Sequence, residues 1–159
     1  MKKPEIIILV GNIGSGKTTY ARQIIEEQRF SYVVIARDAL RYMIGAGKYR
    51  YDTSIEKAIF ATERDCVINF MKLRQNILID EIGMSKKLRK RYIDLAKRHK
   101  YFVTVIEMPK LSKKTCVDRR MKDPHDTLNR GLWCSVWDKF NALYESPSLT
   151  EGIDKIIKL

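Results

Sequence analysis

The 159-residue chain carries 45% hydrophobic and 31% charged residues, the balance of an ordinary folded protein, and its length suits one domain spanning residues 1–159. No apolar run approaches the roughly 20 residues that cross a bilayer, which excludes a membrane-spanning class and any membrane partner that depends on one. Against 19 Asp and Glu stand 31 Lys and Arg, a net charge of +12 that favours polyanionic partners through long-range attraction and counterion release.

The first apolar run, Ile6 to Val10, leads directly into a glycine loop and reads as a strand, not as a secretion signal. Gly11-Asn12-Ile13-Gly14-Ser15-Gly16-Lys17-Thr18 then matches G-x-x-x-x-G-K-[ST] in full and opens a predicted helix over Lys17 to Gln28. A strand before the motif and a helix after it distinguish a phosphate-binding loop from a chance match. Glycines let successive N–H groups turn inward to a β-phosphate, and the helix dipole adds positive potential there. Lys17 would bridge β- and γ-phosphates, and Thr18, followed by Thr19, would offer a hydroxyl to Mg²⁺. The cofactors expected are therefore ATP and Mg²⁺.

A second strand, Tyr32 to Ile35, ends in Ala36-Arg37-Asp38-Ala39-Leu40-Arg41. Functional groups of a parallel sheet gather at the carboxyl ends of its strands, where Asp38 and, a turn later, Arg41 can face the same way. One could take the proton of an attacking hydroxyl while the other grips an acceptor phosphate; a helix cap with an i,i+3 ion pair is the plainer alternative. Gly45-Ala46-Gly47-Lys48 repeats part of the phosphate-loop motif behind a helical stretch, and reads as a flexible loop.

Ile55, Ile59, Thr62, Cys66 and Phe70 recur every three or four residues behind Thr53-Ser54-Ile55-Glu56, which reads as a capping box opening a long helix over Ser54 to Leu73. A third strand, Ile77 to Ile79, ends at Asp80, placed either to hold the water shell of Mg²⁺, to orient Arg41, or to cap a helix. Asp80-Glu81-Ile82-Gly83 spells the Asp-x-x-Gly of GTPases, but no Asn-Lys-x-Asp follows, so GTPase switching is a poor fit. In the next helix Leu88, Tyr92, Leu95 and Ala96 form an apolar stripe, with Lys86, Lys87, Arg89, Lys90, Arg91, Lys97 and Arg98 on the other faces, read as mostly solvated. The charge on Lys86 to Arg91 and Lys97 to Lys100 suggests a nucleic-acid track.

Tyr101 to Ile106 reads as a fourth strand, Ser112 to Met121 as a short basic helix and Leu132 to Leu143 as another. After Ser146-Pro147-Ser148, the run Ile153, Ile156, Ile157, Leu159 is placed to close the sheet as a fifth strand. Three separated cysteines, Cys66, Cys116 and Cys134, with two histidines, argue against a zinc or disulfide framework and fit a reducing, cytoplasmic compartment.

Taken in order, GNIGSGKTT, ARDALR, the long helix, the strand ending in Asp80, the basic helix and the closing Ser-Pro-Ser-Leu-Thr-Glu-Gly-Ile-Asp resemble the kinase domain of phage-type polynucleotide 5′-kinases. The resemblance implies an α/β P-loop kinase fold: one parallel sheet of about five strands in the order 2-3-1-4-5, helices on both faces and a small basic lid over about residues 110–131. It implies nucleic-acid repair chemistry, in which the ATP γ-phosphoryl group passes to the 5′-hydroxyl end of DNA or RNA. By the same resemblance Lys17 and Thr18 bind ATP and metal, Asp38 is the general base, Arg41 contacts the acceptor's 3′-phosphate and Asp80 supports that arginine. The family's lid motif Arg-Asn-x-x-Arg falls on Arg119 to Asp123, so Arg119 fits the first arginine while Asp123 stands where the second belongs. Arg120, Lys122 and Arg130 are the candidates to replace it, with Arg119 and Arg120 the expected donor-side pair. A phosphatase Asp-x-Asp-x-Thr motif is absent, so kinase-only end healing is expected. Nucleoside monophosphate kinases share Asp-x-Leu-Arg and an arginine-rich lid, and they and other small-molecule P-loop kinases are the competing class, disfavoured by the charge of +12.

Overall fold

A computed structural model describes residues 3–29 and 31–159. Five strands, β1 (Glu5–Val10), β2 (Tyr32–Ile35), β3 (Asn76–Ile79), β4 (Phe102–Glu107) and β5 (Lys155–Lys158), form one sheet in the order β2-β3-β1-β4-β5. All four pairings are parallel, with Ile8 opposite both Ile79 and Val105. The expected fold class and strand order are therefore observed. Parallel strands need crossovers, supplied by α1 (Lys17–Glu27), α2 (Arg37–Ile44), α3 (Glu56–Lys72), α4 (Lys86–Arg98), α5 (Lys113–Arg120) and α6 (Arg130–Ala142).

The continuous Ile-Ile-Ile-Leu-Val run of β1 follows from burial on both faces. Ile6, Ile8 and Val10 pack with Ile77, Ile79, Val103 and Val105 against Val67 and Met71 of α3 and Tyr92, Ile93 and Ala96 of α4. Ile7 and Leu9 face the other way with Leu78 and Ile106, against Ala21 and Ile24 of α1. A third cluster of Ile13, Tyr49, Val117 and Trp133 joins the glycine loop to α5 and α6.

Three expectations need correction. Helix α3 begins at Glu56 behind Ile55, whose apolar side chain cannot cap it, and the expected capping box does not form: Ser54 turns back to Asp52 and Glu56 reaches Arg41. Its inner face is Ile59, Glu63, Val67 and Met71, one position on from the expected stripe. Glu63 tolerates that place through bonds from Tyr92 and an ion pair with Arg37 at 3.5 Å. In α4, Arg89 is not on a solvated face but 0% exposed, paired with Glu151 at 2.7 Å. Glu151 in turn closes a capping box with Ser148 just before β5.

The 45–48 segment is also more fixed than a flexible loop. Gly47 donates to the Tyr42 carbonyl at 2.8 Å, and past the left-handed Ala46 and Gly47 and the exposed Lys48 the Tyr49 side chain is buried. Among the described residues no helix is long and apolar enough to cross a membrane.

Candidate active site

In this parallel sheet the carboxyl ends of β1, β2, β3 and β4 lie along one edge, and backbone bonds stitch the segments leaving them. Gly11 donates to the Ile82 carbonyl at 3.0 Å, Asp80 to that of Ile35 at 3.0 Å and Met108 to that of Val10 at 2.8 Å. The glycine loop Gly11 to Thr18 therefore shares a floor with Asp38 and Asp80.

Two glycines in the loop are obligatory on conformation. Gly16, at φ +100°, is the residue from which α1 starts, and Gly14, at φ +65°, lies so close to α5 that a Cβ would meet the Cys116 carbonyl at 2.2 Å. Asn12 fixes the loop's outer arm: its amide donates to the Trp137 carbonyl at 2.9 Å and its side-chain oxygen accepts from the Ile13 N–H at 2.7 Å. Lys17 is buried and donates to the Asn12 carbonyl at 2.8 Å. Burial lowers the pKa of its ammonium, opposed by the nearby charges of Asp80, Asp38 and Glu81. An anion brought into the loop would relieve that cost. Inside the same cradle the Ser15 hydroxyl is buried with no hydrogen-bond partner among the described residues, another group that phosphate oxygens would satisfy.

Thr18 donates its hydroxyl to Asp80 at 2.7 Å. A hydroxyl beside a carboxylate, with phosphate oxygens and water to complete the shell, suits Mg²⁺. Among the described residues no group of three or more His, Cys, Asp or Glu forms a metal cage, so phosphate and water would have to supply the remaining ligands. Burial raises the Asp80 pKa above its ordinary 3.8, and the Thr18 bond and the Lys17 charge only partly offset it. Ionised Asp80 therefore costs stability above the raised pKa, a cost that vanishes below the ordinary value. Asp80→Asn keeps an acceptor for Thr18 and should raise Tm by a few degrees at neutral pH. Thermal melts from neutral to acidic pH check this: the gain should shrink as the pH falls toward the ordinary aspartate range.

On the β2 side, Asp38 Oδ1 accepts from Arg41 at 2.7 Å and from the Tyr49 hydroxyl at 3.1 Å, while Arg120 lies 3.6 Å from Oδ2. The Asp38 side chain is still 47% exposed and so open to a ligand. Arg41 is held by Glu56, not Asp80: its Nε and Nη2 bind the two Glu56 oxygens at 3.0 and 2.6 Å. Asp80, expected to support Arg41, bonds to Thr18 instead.

Beneath Asp38, Arg37 is buried and donates its backbone N–H and side chain to Glu81. Neither Glu81 nor Glu56 was picked out as a site residue, because each acts through an arginine 44 or 15 positions away.

The lid candidates separate. Arg119 reaches the glycine loop, donating to the Gly14 carbonyl at 3.3 Å. Arg120, expected beside it on the donor side, turns toward Asp38. Its guanidinium lies over the Tyr49 and Trp133 rings at 4.9 and 4.1 Å and pairs with Asp126 at 3.1 Å. Arg130 is engaged with Asp118 at 2.7 Å. Lys122 is exposed and makes no ion pair among the described residues. Asp123 takes bonds from Tyr42 and the His125 N–H, which outweigh its partial burial and lower its pKa, so its role is to anchor the lid turn to α2. Tyr49 ties the two sides together. Its N–H donates to the His125 carbonyl at 2.9 Å, and its own carbonyl accepts from Thr127 at 2.7 Å.

A phosphate loop rising from the central strand, a hydroxyl–carboxylate pair beside it and a lid cation reaching over it define a kinase-type P-loop phosphotransferase. Within that class the chain belongs to the AAA domain family AAA_33, whose model matches residues 6–147. No curated protein sequence matches it. In fold it is similar to a chain of the Pnkp1/Rnl/Hen1 RNA repair complex, with 20% identity and a TM-score of 0.70 over 91% of this chain and 47% of that one. A fungal RNA kinase matches with 16% identity and a TM-score of 0.64 over 100% of this chain and 38% of that one. A gluconokinase from Sinorhizobium meliloti matches with 15% identity and a TM-score of 0.58 over 100% of this chain and 83% of that one. The chain thus spans less than half the length of the first two. These likenesses establish the fold, and they are shared by kinases of RNA and of a sugar acid.

Proposed function

We propose that the chain is a polynucleotide 5′-hydroxyl kinase, passing the γ-phosphoryl group of ATP to the 5′-OH end of DNA or RNA. The observation that carries this reading is Asp38, a half-exposed carboxylate between the guanidinium groups of Arg41 and Arg120 at the strand edge that bears the phosphate loop. A base flanked by two cations suits an acceptor that brings a hydroxyl and a phosphate together, as a 3′-phosphorylated nucleotide at a 5′ end does. The net charge of +12 and the RNA-directed fold relatives support the same acceptor class.

MgATP would supply the electrophilic γ-phosphorus and the ADP leaving group. Lys17 and the loop N–H groups hold the phosphates, Thr18 and Asp80 the water shell of the cation, and Arg119 offers positive charge from the lid. Asp38 accepts the proton of the 5′-hydroxyl as its oxygen bonds to phosphorus and the bond to the β-phosphate oxygen breaks. With little covalent work for the protein to do, catalysis is positioning and electrostatics. Arg41 is oriented by Glu56 and steers the acceptor phosphate more by charge than by a free fork, because two of its nitrogens are committed to that carboxylate. Transfer of label from γ-labelled ATP to a 5′-hydroxyl oligonucleotide tests the reading. Transfer confined to nucleoside monophosphates or to gluconate would replace it with the small-acceptor class.

A further inference from the structure

Between α3 and α4 runs a groove of about 410 Å³ whose walls include Phe60, Arg64, Arg91 and Arg98. Its two carboxylates are already engaged. Glu63 is bound by Tyr92 and Arg37, and Asp94 by Lys90 at 2.7 Å. Arg64, Arg91 and Arg98 make no ion pair among the described residues; Arg91 lies in the field of Glu63, which shares Arg37 with Glu81, and the groove keeps a net positive charge. Arg91 is held in place by two rings, its guanidinium 5.2 Å from the Phe60 centroid and 4.7 Å from that of Tyr92, and its buried Nε has no hydrogen-bond partner among the described residues.

Helix spacing places the groove's Phe60 and Arg64 on the same side of α3 as Glu56 at the edge of the Asp38 site. Glu56, which holds Arg41, is followed at four-residue steps by Phe60 and Arg64, a rise of about 12 Å along the helix axis. At the upper end Arg41 lies 5.6 Å from the ring of Tyr51, which is 52% exposed, and Phe60 farther down is 39% exposed. Phe60 is packed between Arg37 at 4.1 Å and Arg91 and serves to order those guanidinium groups. That leaves Tyr51 as the ring open to a base and the unpaired arginines of the groove as contacts for phosphates, the chemistry that binds single-stranded nucleic acid.

We propose that the strand whose 5′ end sits at Asp38 passes Tyr51 and continues down the α3–α4 groove, its phosphates held by Arg64, Arg91 and Arg98. The proposal rests on the polynucleotide reading above and names the path of the acceptor. It keeps Arg91 and Arg98 of the track expected along Lys86 to Arg91 and Lys97 to Lys100 and adds Arg64 of α3. Of the expected track's other cations, Arg89 is buried and Lys97 is paired with Asp154 at 3.0 Å.

Because Arg64 lies about 12 Å along the helix from Glu56, a nucleoside 3′-phosphate bound at Asp38 does not reach it, whereas an octanucleotide does. The test compares wild type with the double variant Arg64→Glu/Arg98→Glu, both positions being exposed. kcat/KM is measured for a 5′-hydroxyl nucleoside 3′-phosphate and for a 5′-hydroxyl octanucleotide over a salt series. The expected result is a fall of at least tenfold for the octanucleotide, no change for the nucleoside 3′-phosphate, and a log–log salt slope shallower by roughly 1.4, as two lost phosphate contacts give for a single strand. Equal effects on both acceptors, or none on the octanucleotide, would overturn the path; the second is the outcome if the groove serves an acidic protein instead. Fluorescence anisotropy of a labelled octanucleotide reads the same groove without turnover. If wild type phosphorylates no 5′-hydroxyl, the functional reading falls, while loss or retention of octanucleotide binding in the variant still decides the groove.

Discussion

Replacing Asp38 with asparagine lowers kcat by about two to four orders of magnitude, the usual share of general base catalysis, and leaves ATP binding nearly intact. The substitution keeps the shape of the side chain and an oxygen able to accept from Arg41 and Tyr49, which donate at 2.7 and 3.1 Å. What it removes is the site for the proton. Lys17, Thr18 and Asp80 make their recorded hydrogen bonds to the loop and to each other, not to Asp38, so nucleotide affinity does not depend on the carboxylate directly. Turnover with a 5′-hydroxyl acceptor, set beside a calorimetric titration of ATP, separates the two. Near-wild-type turnover would remove Asp38 from the role of base, and loss of both readouts would make it a structural residue.

Arg89→Met destabilises the fold by about 3–5 kcal/mol, as breaking one side of a buried ion pair does, a large part of the roughly 5–15 kcal/mol that holds a domain together. The guanidinium is 0% exposed and meets four acceptors: both oxygens of Glu151 at 2.8 and 2.7 Å, and the carbonyls of Gly83 and Glu145, each at 2.9 Å. Methionine fills much of the volume and satisfies none of them, leaving a buried carboxylate unpaired. A chemical denaturation curve with unchanged m reports the loss. Adding Glu151→Leu should recover a good part of it, because an apolar pair replaces a stranded charge. If the double variant is no more stable than Arg89→Met, the cost lies in the two backbone carbonyls instead.

Such pairs mark the boundary of what the sequence discloses. The phosphate loop is legible because its chemistry is local: the glycines, lysine and threonine that make it lie within eight consecutive residues between a strand and a helix. Asp38 is legible for a similar reason, standing where a strand must end. Five strands follow from β-branched runs between segments of helical spacing, with most element bounds agreeing to within a residue or two, while their order follows only from the family resemblance.

Glu56 was misread because glutamate three positions after Thr53 satisfies a capping pattern equally well, and nothing near it in sequence announces Arg41 as its partner. Arg89 reads as solvated for the same reason, and Glu63 gives no sign of its burial. A charge on a helix reads as solvated unless its counter-charge is visible, and theirs lie 62 and 26 positions away, on Glu151 and Arg37. The lid shows the opposite case: Asp123 departs from the family pattern on inspection, but only Tyr42 and His125 explain why an acid belongs there.

The central claim is that the carboxylate side of this P-loop site takes the 5′ end of a nucleic acid. Its most direct test is label transfer from γ-labelled ATP to a matched pair of oligonucleotides, one ending in a 5′-hydroxyl and the other already 5′-phosphorylated, beside nucleosides, nucleoside monophosphates and gluconate. The account predicts label on the 5′-hydroxyl oligonucleotide, none on its phosphorylated twin, and loss of the signal with Asp38→Asn. Label on a monophosphate or on gluconate, with neither oligonucleotide labelled, would contradict it.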